Sequence, residues 1–430
     1  MVVPTSASHA HTFVVFLERL TPTSRPFFPD AMKPLEVSLC GVDQFLTKNI
    51  PMTCADISLK PMNDIEVFAR SAWGIAAYLE QKIGERFRVV VGYDYASQSE
   101  DGAETQNLTD VARIIEAAGG HALVIPRALP SPIGAFSLRM LLSDAAIILR
   151  PASSPRTDGI PRVEFALGGR ATSREAEGVL VTAEERTAID TFTASAPAMP
   201  DIPRAESGWE FIGQGMVDAY VDRVVLGKPA TEKQSKIVYA PEYATTRLLT
   251  TTICERIGFR DVDVIGAPNA GVDDVAAQRV LDHASQNGAD LVVITFDNGR
   301  RLRVGLPFGG DNPHWEYLDN DTVAYLLASE VARRHAMDSD AVLVAAESCS
   351  DALERVATRF HVRVARSADS MSHVARTPGI VFGCDEAFGY CLDPAMVRDA
   401  DGLAAATTFA LLTEKYVSRG RLLSDALPTF

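Results

Sequence analysis

Three things are scarce in this sequence: positive charge, long apolar runs, and cysteine in metal-binding spacing. Acidic residues outnumber basic ones, 56 to 41, for a formal net charge of −15. Binding a phosphate backbone needs a basic face, so a nucleic-acid partner is disfavoured. A small phosphorylated ligand needs only a local basic pocket and is not disfavoured. The apolar runs are strand-length and are interrupted by charge or glycine, so none reads as a membrane span. The six cysteines (Cys40, Cys54, Cys254, Cys349, Cys384 and Cys391) show no C-x-x-C spacing. Neither a zinc site nor a disulfide scaffold is therefore expected. No P-loop and no G-x-G-x-x-G follows a strand. The N-terminus lacks the charged start, apolar core and cleavage site of a secretory signal. Cytoplasmic residence is the default expectation.

What is present is ordinary for a globular chain: 47% apolar and 23% charged residues. A length of 430 residues gives a prior of about three domains. Residues 1–31 are rich in Pro, Ser and Thr and carry His9 and His11. They read as a disordered or mis-assigned leader, with the natural start at Met32. The remainder divides into 32–200, 201–315 and 316–430.

The first stretch opens with helical spacing of Val67, Trp73, Ile75, Ala76 and Leu79 over 66–82. A buried strand over 88–94 follows, then a helix over 108–118 stopped by Gly119-Gly120. A strand at 122–125, a helix at 133–142 and a strand at 145–149 complete a β-α-β-α-β pattern. Such a pattern implies right-handed crossovers and a mostly parallel sheet. The second stretch repeats it with strands at 236–240, 262–265 and 289–295 and helices at 246–257 and 273–287. The third has helices at 323–337, 351–360 and 402–416 and strands at 341–345, 362–365 and 380–382. Each stretch delivers a polar loop at a strand's C-terminal end, where α/β proteins place ligands. One composite site at the junction of the three is expected.

Those loops carry a resemblance. The words Phe382-Gly383-Cys384-Asp385-Glu386-Ala387-Phe388-Gly389-Tyr390, Asp393-Pro394 and Val397-Arg398-Asp399-Ala400-Asp401-Gly402 resemble the sugar-recognition loop of the α-D-phosphohexomutase superfamily. The bacterial phosphoglucomutase/phosphomannomutase branch is the most similar. Pro61-Met62-Asn63-Asp64, Val91-Gly92-Tyr93-Asp94, Pro130-Ser131-Pro132 and Gly288-Ala289-Asp290-Leu291 fall in the same order as that family's words. The resemblance covers roughly residues 47–430. It implies three consecutive phosphohexomutase-type α/β/α domains with mostly parallel mixed sheets around a shared cleft. The family's fourth, phosphate-binding domain has no counterpart in the sequence.

The family moves a phosphoryl group between sugar hydroxyls through a phosphoserine. That chemistry needs a serine carrier, a divalent cation, carboxylates on the sugar and basic groups on the phosphate. In the ungapped register Ala152 falls on the carrier, with Ser153 and Ser154 on the His and Asn that follow it. A one-residue slip places Ser153 on the carrier instead. The family's Mg²⁺ loop, Asp-x-Asp-x-Asp-Arg, falls on Phe296, Asn298 and Arg300, a poor set of oxygen ligands. Metal binding is not expected, and the loop reads as a polar turn with solvated arginines. Asp385 and Glu386 match the two acidic sugar-recognition residues. The arginine-bearing N-terminal loop falls on 47–52, which has no Arg. The Arg expected after Gly92-Tyr93-Asp94 is absent, as is the Lys expected near Asp369-Ser370-Met371-Ser372. Arg150, Arg156, Arg162 and Arg300 are weak material for a basic pocket, since surface arginines are common.

The resemblance implies a protein of carbohydrate metabolism with uncertain enzymatic status. One reading is an inactive or strongly impaired paralogue that binds a hexose phosphate, an active mutase, or itself. The alternative is a working hexose-phosphate mutase with Ser153 as phosphoryl carrier. A third is a decayed gene product that still folds. No nucleic-acid or membrane partner is expected.

Overall fold

A computed structural model of the chain describes residues 63–94, 103–153, 159–310 and 313–428. The expected leader, the 47–52 loop, Ser154 and Arg156 lie outside these residues. The first unit runs α1 (Asp64–Ile83), β1 (Arg88–Tyr93), α2 (Ala103–Ala117), β2 (His121–Ala128), α3 (Ser131–Met140), β3 (Ala145–Arg150), β4 (Arg162–Leu167), α4 (Ala183–Ala194) and β5 (Glu210–Phe211). The second runs α5 (Gly215–Val225), β6 (Ile237–Pro241), α6 (Ala244–Ile257), β7 (Val262–Val264), α7 (Asp274–Gln286), β8 (Leu291–Phe296), β9 (Arg301–Phe308) and β10 (His314–Tyr317). The third runs α8 (Asn320–His335), β11 (Val342–Ala346), α9 (Ala352–Phe360), β12 (Arg363–Ser367), α10 (Met371–Val374), β13 (Ile380–Cys384), β14 (Tyr390–Cys391) and α11 (Gly402–Val417).

Each unit has one sheet. The strand orders are β4-β3-β1-β2-β5, β10-β9-β8-β6-β7 and β12-β11-β13-β14. The inner strands pair in parallel and are buried on both faces, as their unbroken apolar runs require. Antiparallel edge strands β4, β9–β10 and β14 make every sheet mixed. The expected mixed, mostly parallel α/β architecture is thus the observed one. Strands β4, β9 and β10 and helix α5 are additions to the pattern read from the sequence. Among the described residues, no helix is long and apolar enough to cross a membrane.

Helix ends follow their caps. Asn63 accepts the Glu66 N–H at 2.9 Å to open α1. Thr182 and Glu185 form a reciprocal capping box on α4. Gly258 stops α6 with a left-handed φ of +98°, and a Cβ there would lie 2.0 Å from the Thr231 carbonyl oxygen.

The cores do not stay within the sheets. One apolar cluster encloses α1, α2 and the first sheet, with Phe68, Trp73 and Phe87 at its centre. A larger one is continuous across the second and third units, from Ile237 and Tyr239 through Leu327 and Leu343 to Phe382 and Phe409. A third cluster joins Ile133 and Phe136 of α3, Tyr220 and Val224 of α5, Ile253 of α6 and Leu403 of α11. Helix α5 therefore packs where all three units meet.

Candidate functional site

The three strand-end loops converge, as expected, but on an ion-pair network instead of an open basic pocket. Its centre is Arg300, only 7% exposed. Its guanidinium donates to both oxygens of Glu164 on β4, Nη1–Oε1 at 2.9 Å and Nη2–Oε2 at 2.7 Å. Its Nε donates to Asp399 Oδ2 at 2.9 Å. The bidentate fork is the geometry that makes an arginine–carboxylate pair strong and directional. Burial by itself would depress the arginine, but Asp399 and Glu164 hold its pKa well above the usual value.

Arg150, at the end of β3, lies alongside. Its Nε is 2.5 Å from Asp94 Oδ2, its Nη2 3.1 Å from Glu164 Oε1 and its Nη1 3.9 Å from Asp297 Oδ1. The contact with Asp94 is close enough for an ion pair but off-axis for a regular hydrogen bond. Burial pushes the Asp94 carboxyl up to about 6, against the pull of Arg150. Burial also favours the protonated form of Glu164, but Arg300 and Arg150 outweigh it and hold that carboxyl low. Arg301 completes the set, donating from Nε to Asp297 Oδ2 at 3.0 Å and lying 3.6 Å from Asp385 Oδ1. Asp94, Arg150 and Glu164 come from the first unit, Asp297, Arg300 and Arg301 from the second, and Asp385 and Asp399 from the third.

This corrects one expectation. The arginines of loop 296–301 are not solvated: Arg300 is buried and Arg301 about a quarter exposed. Nor do Arg150 and Arg300 form a basic pocket for phosphate, because carboxylates already engage both. Arg162 stands apart as an exposed residue at the start of β4.

Loop 296–301, on which the resemblance would place a metal site, is a tight structural turn. Asp297, Asn298 and Gly299 have φ of +51°, +50° and +83°, three successive left-handed residues. Asn298 is fully buried; its amide donates to the Leu129 carbonyl at 2.9 Å, and its own carbonyl accepts the Ser131 N–H at 3.0 Å. Phe296 is 3% exposed, and its ring fills the place a Cβ on Gly271 would take, 2.3 Å from Cγ. A buried ring, an amide committed to backbone and a guanidinium are not a ligand set for a hard divalent cation. The family's Mg²⁺ does not fit these residues. Among the described residues, no group of three or more His, Cys, Asp or Glu is arranged to hold a metal ion.

In the carrier loop, the Ala152 N–H donates to Asp64 Oδ1 at 3.1 Å, and Ser153 is exposed just beyond it. In the sugar loop, the two acids have separate fates. Asp385 turns inward and accepts the Ala387 and Gly389 N–H groups, each at 2.9 Å, closing its own turn. Burial raises its pKa against the opposing pull of Arg301. Glu386 is exposed at the tip. The turn is fixed from below by Asn320, which donates to the Asp385 carbonyl at 3.0 Å and accepts from Tyr390 Oη at 2.6 Å. A backbone bridge between Arg301 and Gly389 ties it to loop 296–301.

Sequence reasoning missed Asp94, Glu164, Asp297 and Asp399 as partners of the arginines. The available signal was Glu164, a carboxylate between Val163 and Phe165 on a strand.

No family model matches the chain. A curated Haemophilus influenzae protein named a probable phosphomannomutase is 24% identical over 382 residues, covering 86% of this chain and 75% of that protein. A solved phosphoglucomutase/phosphomannomutase family protein from Burkholderia thailandensis superposes with a TM-score of 0.67 at 15% identity, covering 86% of this chain and 77% of the other. The Paramecium phosphoglucomutase parafusin, in its open form, gives 0.57 at 13% identity over 82% of this chain and 67% of the other. Three mixed α/β units whose loops meet at one junction are therefore the fold of the α-D-phosphohexomutases. In sequence the chain is similar to a probable phosphomannomutase, and in fold to phosphoglucomutase/phosphomannomutase family proteins.

Proposed function

We propose that this chain is a phosphohexomutase relative that does not transfer phosphoryl groups. It would act in the cytoplasm by weak binding of a hexose phosphate, with Glu386 on the sugar, and by association with an active mutase or with itself. The observation that carries the reading is Arg300 bound by Glu164 and Asp399. A cation needed to neutralise a transferring phosphoryl group is here covalently part of the chain and already neutralised. Loss of metal and of free basic groups would each remove several kcal/mol of transition-state stabilisation, roughly 3 kcal/mol or more per group.

The second reading, an active mutase with Ser153 as carrier, has the exposure of Ser153 in its favour. The experiment separates the two. Purified protein is incubated with glucose 1-phosphate, Mg²⁺ and a bisphosphate primer, and glucose 6-phosphate and protein-bound phosphate are measured. No product and no phosphoserine are expected. Turnover at ordinary mutase rates that disappears in Ser153→Ala overturns the proposal. Light scattering and co-purification with a full-length mutase test the association.

A further inference from the structure

We propose that Cys349 and Cys384 form a modification site, a dithiol that hydrogen peroxide converts to an intrachain disulfide at the root of turn 385–389. The strand register brings the two together. β11 and β13 are parallel neighbours with Ala345 opposite Cys384. The Cys349 N–H then turns back to the Ala346 carbonyl at 3.1 Å, which sets Cys349 over the end of β13. Cys349 Sγ lies 4.0 Å from the Cys384 carbonyl oxygen, which makes the two side chains neighbours.

The pair is asymmetric in the sense that thiol oxidation requires. Cys349 is partly exposed, and the neighbouring Cys384 side chain favours its thiolate, the nucleophilic form. Cys384 is 1% exposed, and the proximity of Cys349 together with burial keeps its own proton on. Peroxide therefore meets Cys349 first. The Cys349 thiolate attacks one peroxide oxygen, the O–O bond breaks, and the departing hydroxide takes a proton and leaves as water. This gives a sulfenic acid at Cys349. The Cys384 sulfur then attacks the Cys349 sulfur, the S–O bond breaks, and the hydroxyl leaves as a second water with the Cys384 proton. Two thiols lose two electrons in total and one peroxide gains them. The other described cysteines are built differently. Cys254 is buried against apolar neighbours with its thiol pushed up to about 12, and Cys391 is fully buried with its thiol raised further.

The site depends on neither mutase activity nor sugar binding. To test it, the intact reduced protein is treated with hydrogen peroxide, capped with a maleimide, digested without reductant and mapped by mass spectrometry. The expected result is a Cys349–Cys384 linked peptide as the main product, cleaved by dithiothreitol, with Cys254 and Cys391 recovered as thiols once the protein is unfolded. In Cys384→Ser, dimedone should trap a sulfenic acid on Cys349 that wild type does not accumulate. Recovery of both cysteines as maleimide adducts under peroxide that oxidises a free thiol would overturn the proposal. So would a disulfide joining only other cysteines, or irreversible oxidation of Cys349 in wild type without the link.

Discussion

Arg300 is a buried cation at the junction of three units, and its surroundings explain how a charge is tolerated there. A buried guanidinium is costly unless its donors and its charge are both matched. Glu164 matches two donors and Asp399 a third. Removing the cation alone would strip Asp399 of its ion pair and leave Glu164 only Arg150. Arg300→Met is expected to cost about 3–5 kcal/mol, the range for breaking a buried pair from one side. Urea denaturation checks this, and adding Glu164→Gln to Arg300→Met should recover part of the loss. Full additivity of the two substitutions would contradict the coupling. None of this was legible in the sequence, because Glu164 and Asp399 lie 136 and 99 residues from Arg300. The sequence does show that positions 296, 298 and 300 carry no carboxylate. What pairs with Arg300 is a long-range fact.

At the scale of elements, the same distinction recurs. Helices and inner strands were readable because burial on one or two faces imposes a period of 3.6 or a continuous apolar run. β9 was not, since Arg301, Arg303, Gly305 and Pro307 break its run while one face still packs. β4 does alternate, with Arg162 and Glu164 against Val163 and Phe165, but its regular stretch is too short to stand out from the loop before it. Helix α11 is a clearer case of an element whose cap carries a measurable signature. Asp401 accepts the Ala404 N–H at 2.9 Å and receives Tyr220 Oη at 2.9 and 3.0 Å. Burial raises this carboxyl from 3.8 to about 6. The unfolded carboxyl therefore gives up its proton first as pH rises, and the folded state holds the extra proton over about pH 4–6. Stability attributable to Asp401 is full below that window and is lost as pH climbs through it. Asp401→Asn keeps a capping acceptor but cannot ionise. Its stability relative to wild type should grow from pH 4 to 6 by on the order of 2 kcal/mol and then level off. Thermal unfolding across that range checks the sign; a relative stability that falls with pH would refute it.

On the scale of the whole molecule, the convergence of three strand-end loops followed from chain order and the α/β pattern alone. How tightly the units share a core did not, because the apolar positions of α11 look the same whichever sheet they cover. The structure packs that helix, from the last stretch of the chain, onto β8, β9 and α6 of the second unit. Its Gly402 fits against the Gly299 and Arg301 carbonyls, with a Cβ there only 2.9 and 2.7 Å from their oxygens. A chain ending before residue 402 would lack α11, with its Leu403 and Phe409, and so bare the second unit's facing core; it should bind a hydrophobic dye and aggregate. A soluble, cooperatively melting fragment would show the opposite. During synthesis, then, the middle unit cannot close its core until α11, far downstream of its own strands, has been made. A lesion or pause between the two leaves a half-covered sheet exposed, so the yield of folded middle unit depends on chain that is made long after it.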